Sequence, residues 1–290
     1  MIFHYLKIAF RNLCKHKTQN IISIIGLAVG LLCFCVCIYC SRFVESTDHC
    51  FANHDRIAEL NLYDGKADRY FSGSPVPLAE DLRTWALGET EAISSVTYPR
   101  ERPYYVELSP EKTLPYELET IEIDTCYNKI FTPELVAGHW KMASQSLNSV
   151  ILSQSMAIKI FGNAESAIGK HMTLMRRLNT SPESTPKTGG IVYTIQAVMK
   201  DIPLNNSLDF MQNIDMLTVN DSEGLLQSSK RHNMTGANTY VLLSPQTTCT
   251  DLEKQFSKRD YTYTLYGEAY TVTASSMGAR LKKQGASYLG

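Results

Sequence analysis

Between Thr18 and Ser41 the chain runs TQNIISIIGLAVGLLCFCVCIYCS without one charged side chain. A helix rises about 1.5 Å per residue, so roughly 20 apolar residues span the hydrocarbon core of a bilayer. Ile21 to Cys40 supplies that length, and residues 21–41 are read as one transmembrane helix. Gly26 and Gly30 stand four residues apart within it, a small-xxx-small pair that lets a second helix's backbone approach closely in lipid. These two glycines are the candidate helix–helix contacts.

The flanks set the orientation. Residues 1–20 carry Lys7, Arg11, Lys15 and Lys17 and no acid, whereas residues 41–60 carry a net charge of minus two. The positive-inside rule then places the N-terminus in the cytoplasm and everything after Ser41 outside. A cleaved signal peptide would have an apolar core of about 7–15 residues and end in a small-x-small site. Here the core is longer, and Tyr39-Cys40-Ser41-Arg42 is a poor cleavage sequence.

Ahead of the span, MIFHYLKIAFRNLCK sets Phe3, Leu6, Phe10 and Leu13 at spacings of three and four, with Lys7, Arg11 and Lys15 on another face. This is the pattern of an amphipathic basic helix over residues 1–20, lying on the inner leaflet or meeting a cytoplasmic partner. Lys7, Arg11 and Lys15 are the candidate contacts.

The remaining residues 42–290 are enough for one large domain or two small ones with cores of their own. A net charge of minus one excludes a nucleic-acid binder. Cys33, Cys35, Cys37 and Cys40 lie within the span, where hydrocarbon offers a hydrated ion no path, and they read as small apolar filler. Outside, Cys50, Cys126 and Cys249 are an odd number, compatible with at most one bridge whose pairing the sequence leaves open.

Periodicity predicts strands at Ile57–Leu62, Ile93–Tyr98, Tyr104–Leu108 and Tyr116–Thr125, and a helix from Pro77 to Leu87 with Leu78, Leu82 and Trp85 on one face. In 116–125, Ile121 and Ile123 alternate with Glu122 and Asp124. Val150–Leu152 reads as a strand, Ser153 as the N-cap of a helix burying Met156, Ile160 and Phe161, and Gly162 as its end. A turn at Ile168-Gly169 leads to a strand through Met172 and Leu174, LNTSPESTPKTGG reads as an exposed loop, and Ile191–Met199 alternates as a strand. Tyr240–Leu243 is a further strand, Thr250 a cap for a helix over Leu252–Phe256, and the tyrosine-rich end makes two more strands. Strands and short helices intermingle without long crossover helices, so the class is α+β: an amphipathic helix and one transmembrane helix followed by a mixed α/β domain.

These residues resemble a known family. The opening LKIAFRNLCKHKTQNIISIIGLAVGL looks like the start of FtsX-like permeases of MacB-type ABC transporters. The later part is similar to the MacB-like periplasmic core domain: Asp55-Arg56-Ile57, Val150-Ile151-Leu152-Ser153, Phe161-Gly162, Ile168-Gly169-Lys170, Val198 to Asp201 with Pro203, and Thr239 to Leu243 followed by Leu252-Glu253. Ala58-Glu59 departs from the aromatic and basic pair frequent there.

The resemblance implies an inner-membrane permease subunit in a Gram-negative envelope, with its main domain periplasmic. It implies a separate cytoplasmic ABC ATPase, a permease dimer and a periplasmic adaptor or outer-membrane partner, with ATPase-driven motion relayed outward to export or extract a substrate. Such permeases carry three further membrane helices after the periplasmic domain, and no other stretch here has spanning length. A single-pass, membrane-anchored periplasmic binding or sensor protein is the alternative reading.

No enzymatic activity, cofactor or metal site is expected. GxxxxGK[ST], HExxH and GxSxG do not occur. His49, Cys50 and His54 form the only external cluster of metal-like composition, and His139 beside Trp140 reads as a turn residue.

Overall fold

A computed structural model describes residues 4, 11, 15, 17–71, 73–85, 87–109, 112–145, 148–174, 191–209, 212–220, 237–265 and 268–279. Most of the basic amphipathic pattern, including Lys7, and the polar loop 178–190 lie outside the described residues. The chain divides into two compact units, Met1–Ser46 and Thr47–Gly290.

The first unit holds α1, Lys17–Glu45. It extends beyond the expected 21–41 at both ends because Lys17, Arg42 and Glu45 can lengthen a helix while their charges stay in water.

The second unit is built on thirteen strands among the described residues. They are β1 (Ile57–Asp64), β2 (Arg69–Phe71), β3 (Thr90–Thr97), β4 (Arg100–Ser109), β5 (Lys112–Ile123), β6 (Leu135–Gly138), β7 (Ser149–Ser153), β8 (His171–Leu174), β9 (Ile191–Met199), β10 (Met216–Val219), β11 (Ala237–Leu243), β12 (Thr262–Leu265) and β13 (Glu268–Ser276). Interleaved are α2 (Val76–Thr84), α3 (Tyr127–Phe131), α4 (Trp140–Gln145), α5 (Gln154–Phe161) and α6 (Cys249–Lys258).

β10 pairs with β7 on one side and with β5 on the other. The order β5–β4–β8–β9–β7–β10 therefore closes on itself as a six-stranded barrel. From the far end of β5 an open sheet continues as β3–β11–β1–β13–β12, joined to the barrel through the single register pair Val96 with Ile123. Two pairings in the barrel are parallel, β5 with β10 and β7 with β9. The short α5 lies in the β7-to-β9 connection, a small crossover within a mainly antiparallel α+β fold.

Strand alternation sorts the apolar residues into three layers. Tyr104, Leu118, Val150, Leu152, Met172, Ile195 and Met216 fill the barrel, with Met156, Ala157 and Ile160 of α5 packed against them. Ile121, Ile123, Ile151 and Leu217, of opposite parity, and Ala197, turned to the other face by the bulge that follows Ile195 in β9, join Ile57, Val96, Tyr240 and Leu242 of the open sheet and Tyr127, Ile130 and Phe131 of α3 in a central layer. On the sheet's other face Leu60, Leu62, Ile93, Val241 and Val272 meet Leu78 and Leu82 of α2 and Leu252 and Phe256 of α6.

Local signals hold where chemistry is local. Ser153 accepts from the Met156 N–H, and Gly162 ends α5 in the left-handed conformation at φ 87°. The cap of α6 is Thr248 rather than Thr250: Thr248 and Asp251 exchange side-chain and backbone bonds in a capping box, and Thr250 lies inside the helix. Trp85 falls one residue beyond α2, whose first turn carries Pro77. Glu122 and Asp124 alternate with the isoleucines, yet they are buried too, 4% and 1% exposed.

Two glycines at positive φ should separate steric cost from conformational cost. A Cβ on Gly138 would sit 2.3 Å from Gln196 O and 2.7 Å from Ala197 Cα, whereas one on Gly162 meets nothing within 4 Å. Gly162→Ala should cost about 1 kcal/mol in urea denaturation through its left-handed backbone alone, and Gly138→Ala at least about 3 kcal/mol.

Candidate functional site

The candidate site has two parts, each within its own unit. In the first, the apolar side chains of α1 are exposed along its length, among them Ile22 at 65%, Leu27 at 66% and Phe34 at 63%. A surface of this kind is stable only under lipid or against other helices. Tyr39 and Phe43 stack at 6.2 Å near its C-terminal end, where an aromatic belt belongs.

A Cβ added at Gly26 or Gly30 would meet nothing within 4 Å. Sequence reasoning picked out these two but missed the series they belong to. Ser23, Gly26, Gly30, Cys33, Cys37 and Cys40 alternate at spacings of three and four, placing six small side chains along one seam of the helix. Arg11 and Lys15 are helical and exposed, while Lys7 lies outside the described residues.

The second part is the start of the domain. Asp48 is 2% exposed and has a left-handed φ of 69°. Its Oδ1 accepts from the Ser207 N–H at 2.6 Å and its Oδ2 accepts from the Ser207 hydroxyl. Its own N–H donates to Asn205 O at 3.0 Å. The turn that meets it is pre-formed: Asn206 Nδ2 donates to Pro203 O at 2.7 Å, and Asn206 Oδ1 accepts from the Leu208 and Asp209 N–H groups at 3.0 Å each.

From the other end of the domain Gly278 passes close to the same carboxylate, with φ 73° and room for no side chain. A Cβ there would lie 2.5 Å from Asp48 Oδ2 and 3.0 Å from Ser207 Oγ. The start of the domain, the 203–209 turn and the chain just past β13 therefore meet at one buried carboxylate. Phe51, edge-on to Phe131 at 5.1 Å, ties the entering segment into the central layer.

Around this node the chemistry is structural. The His49 and His54 rings lie 4.4 Å apart, and His54 Nδ1 donates to Phe51 O at 3.1 Å. Among the described residues no three His, Cys, Asp or Glu side chains are placed to hold a metal. Cys50, Cys126 and Cys249 are all free thiols. Crowding by protein and the Asp48 carboxylate push the Cys50 thiol up to about 11, leaving it protonated and a poor nucleophile at neutral pH.

Two buried acids that sequence reasoning left unpaired have partners. Asp124 receives Arg83 of α2, the Ser94 hydroxyl and the Ser95 N–H; Glu122 receives Arg102 of β4 and the Asn220 amide.

Asp209, at the end of the turn that holds Asp48, is 8% exposed, and burial pushes its carboxyl up to about 6. Glu119 on β5 is raised as well, by burial first and then by Asp209, Glu101 and Asp215. The native state therefore holds Asp209's proton more tightly than the unfolded chain, whose value is near 4. Its contribution to stability is fully present below about pH 4 and is lost as pH rises through about 6. Asp209→Asn should stabilise the domain by roughly 1–2 kcal/mol at pH 7.5, with the gain vanishing near pH 4 in urea titrations across that range.

The family model for the MacB-like periplasmic core domain matches residues 21–259. Among solved structures, the chain is similar to a domain of a putative permease from Porphyromonas gingivalis, at 23% identity and TM-score 0.55, over 78% of this chain and 93% of that one. It is also similar to the periplasmic region of MacB from Actinobacillus actinomycetemcomitans, at 13% identity and TM-score 0.50, over 81% of this chain and 94% of that one. A comparison with curated proteins returned no match.

Proposed function

The chain belongs to the MacB-like periplasmic core domain family, and from that premise we propose that it is a transmitter in an ABC transporter permease, carrying motion driven by a cytoplasmic ATPase across the inner membrane to its periplasmic domain. The family is that of a permease's periplasmic domain, with ATP hydrolysis carried out by a partner. The finer proposal covers the direction of crossing, the relay and its purpose, export or extraction of a substrate beyond the membrane.

One observation carries it: only Ser46 and Thr47 separate the last residue of α1 from the buried Asp48. A helix is stiff along its axis, and the three Cα-to-Cα steps from Glu45 to Asp48 span at most about 11 Å, so axial displacement of α1 leaves little slack before the domain's anchor is loaded. The charge asymmetry around α1 supports a cytoplasmic N-terminus. The small-residue seam supports packing against another membrane helix, with a second permease copy as the partner, and the exposed Arg11 and Lys15 support contact with the inner leaflet or the ATPase. A periplasmic adaptor or outer-membrane partner would engage the domain.

Gentle detergent extraction of the protein expressed with its genomic neighbours should recover a nucleotide-binding protein; repeated recovery without one overturns the relay. Protease added to spheroplasts should digest residues 47–290 and spare the first 20, and the opposite pattern reverses the orientation. Replacing Gly26 and Gly30 together by leucine should weaken self-association in detergent about ten-fold, read by analytical ultracentrifugation, because two backbones could no longer approach along that seam.

A further inference from the structure

Carboxylates from separate parts of the chain gather around Glu119 of β5. Glu101 of β4 stands directly opposite it in the ladder, a like-charge pair that disfavours the doubly ionised state. Asp215, the residue before β10, is tied to Glu119 twice: its Oδ2 accepts from the Glu119 N–H at 3.0 Å, and its own N–H donates to Glu119 O at 3.0 Å. Asp209, in the connection from β9 to β10, adds a further negative charge. Lys159 of α5 acts on Asp215 and is opposed there by Asp201, whereas no cation among the described residues acts on Asp209 or Glu119.

Asp209 is the member that cannot relieve this crowding by turning to water. It is 8% exposed, its Oδ2 is shut off from solvent, and no donor among the described residues reaches that atom. Its backbone is pinned as well. Asn206 Oδ1 accepts from the Asp209 N–H at 3.0 Å, Asp209 O accepts from the Gln212 N–H at 3.3 Å, and the preceding Leu208 is buried in the central layer. An ionised carboxylate so placed lacks both water and donors, which costs free energy for as long as the segment stays docked. A proton removes that charge and supplies an O–H donor to a group made up of acceptors.

We propose that these acids are a proton-operated brace on the β9-to-β10 connection: with Asp209 protonated the connection lies tight against β5, and with Asp209 ionised it opens locally more often. The turn that receives Asp48 belongs to the same connection, so the hold on Asp48 follows the same proton. Burial sets the sign. The docked segment binds the proton more tightly than the opened one, so docking strengthens as pH falls through about 6. A stiffer start of the domain in acid is the consequence for coupling to α1; that consequence rests on the relay reading, and the proton linkage does not.

The test follows amide hydrogen exchange of the full chain in lipid nanodiscs by mass spectrometry at about pH 5 and about pH 7.5, corrected for the chemical exchange rate. Released by opening, Asp209 returns to a value near 4 from about 6 when docked, so opening should be about ten-fold rarer at the lower pH. Peptides covering residues 203–209 should then exchange about ten-fold more slowly there. Those of α6, on the other face of the open sheet, should stay within about two-fold. Asp209→Asn, neutral at both pH values, should exchange slowly at both. Should that variant fail to fold, a pH series on wild type decides: protection of 203–209 should be flat above about pH 6 and climb below it.

Equal exchange at the two pH values, a difference that persists in Asp209→Asn, or slowing of the same size in α6 would each overturn the proposal. Each of these results would leave the family and the relay standing. Failure to recover an ATPase would in turn leave the brace untouched.

Discussion

Everything in the domain is hung on β5, which is committed on both faces and at both edges. Its even-numbered face contributes Leu118 to the barrel interior and its odd-numbered face contributes Ile121 and Ile123 to the central layer. One edge pairs with β4; the other takes β10 in parallel and, at Ile123, the open sheet. A strand used in this way cannot slip by one residue without sending apolar side chains to the wrong layer and losing the closure made by β10. That closure removes two sheet edges that would otherwise be open to pairing with other chains.

The C-terminal end of β5 also explains two buried acids. Glu122 points back into the barrel mouth toward Arg102, and Asp124 sits where β5 gives way to α3, receiving Arg83, a serine hydroxyl and a backbone N–H. Buried ion pairs contribute little net stability, because desolvation offsets the attraction, but removing one partner strands a charge at a cost of about 3–5 kcal/mol. Their value here is positional. Arg83 also donates to Ile93 O, so one guanidinium fixes α2, β3 and the end of β5 together.

What could be read in the sequence follows the range over which each signal acts. The apolar span, the Ser153 cap, the Gly162 stop and the alternation of 191–199 are set by neighbours within a turn or two. Thr248 and Thr250 are both capable caps, each with an acid three residues on, and the choice is made at long range: Glu253 accepts from the Ala274 N–H of β13, while Asp251 is left to close the box with Thr248. β10 is four residues flanked by polar chain, too short for its alternation to stand out, yet it closes the barrel. The parallel pairings leave no local trace. The Asp48 node joins residues 159 positions apart through side chains typical of any turn. The small-residue seam on α1, by contrast, was present in the spacing, hidden because cysteine was counted as filler rather than grouped with glycine and serine by size.

The close passage of Gly278 by Asp48 bears on where fraying can start. The two residues bracket all thirteen described strands, so the segment before the first strand and the segment after the last meet at one crowded joint. A side chain at position 278 would wedge that joint open and loosen both segments together.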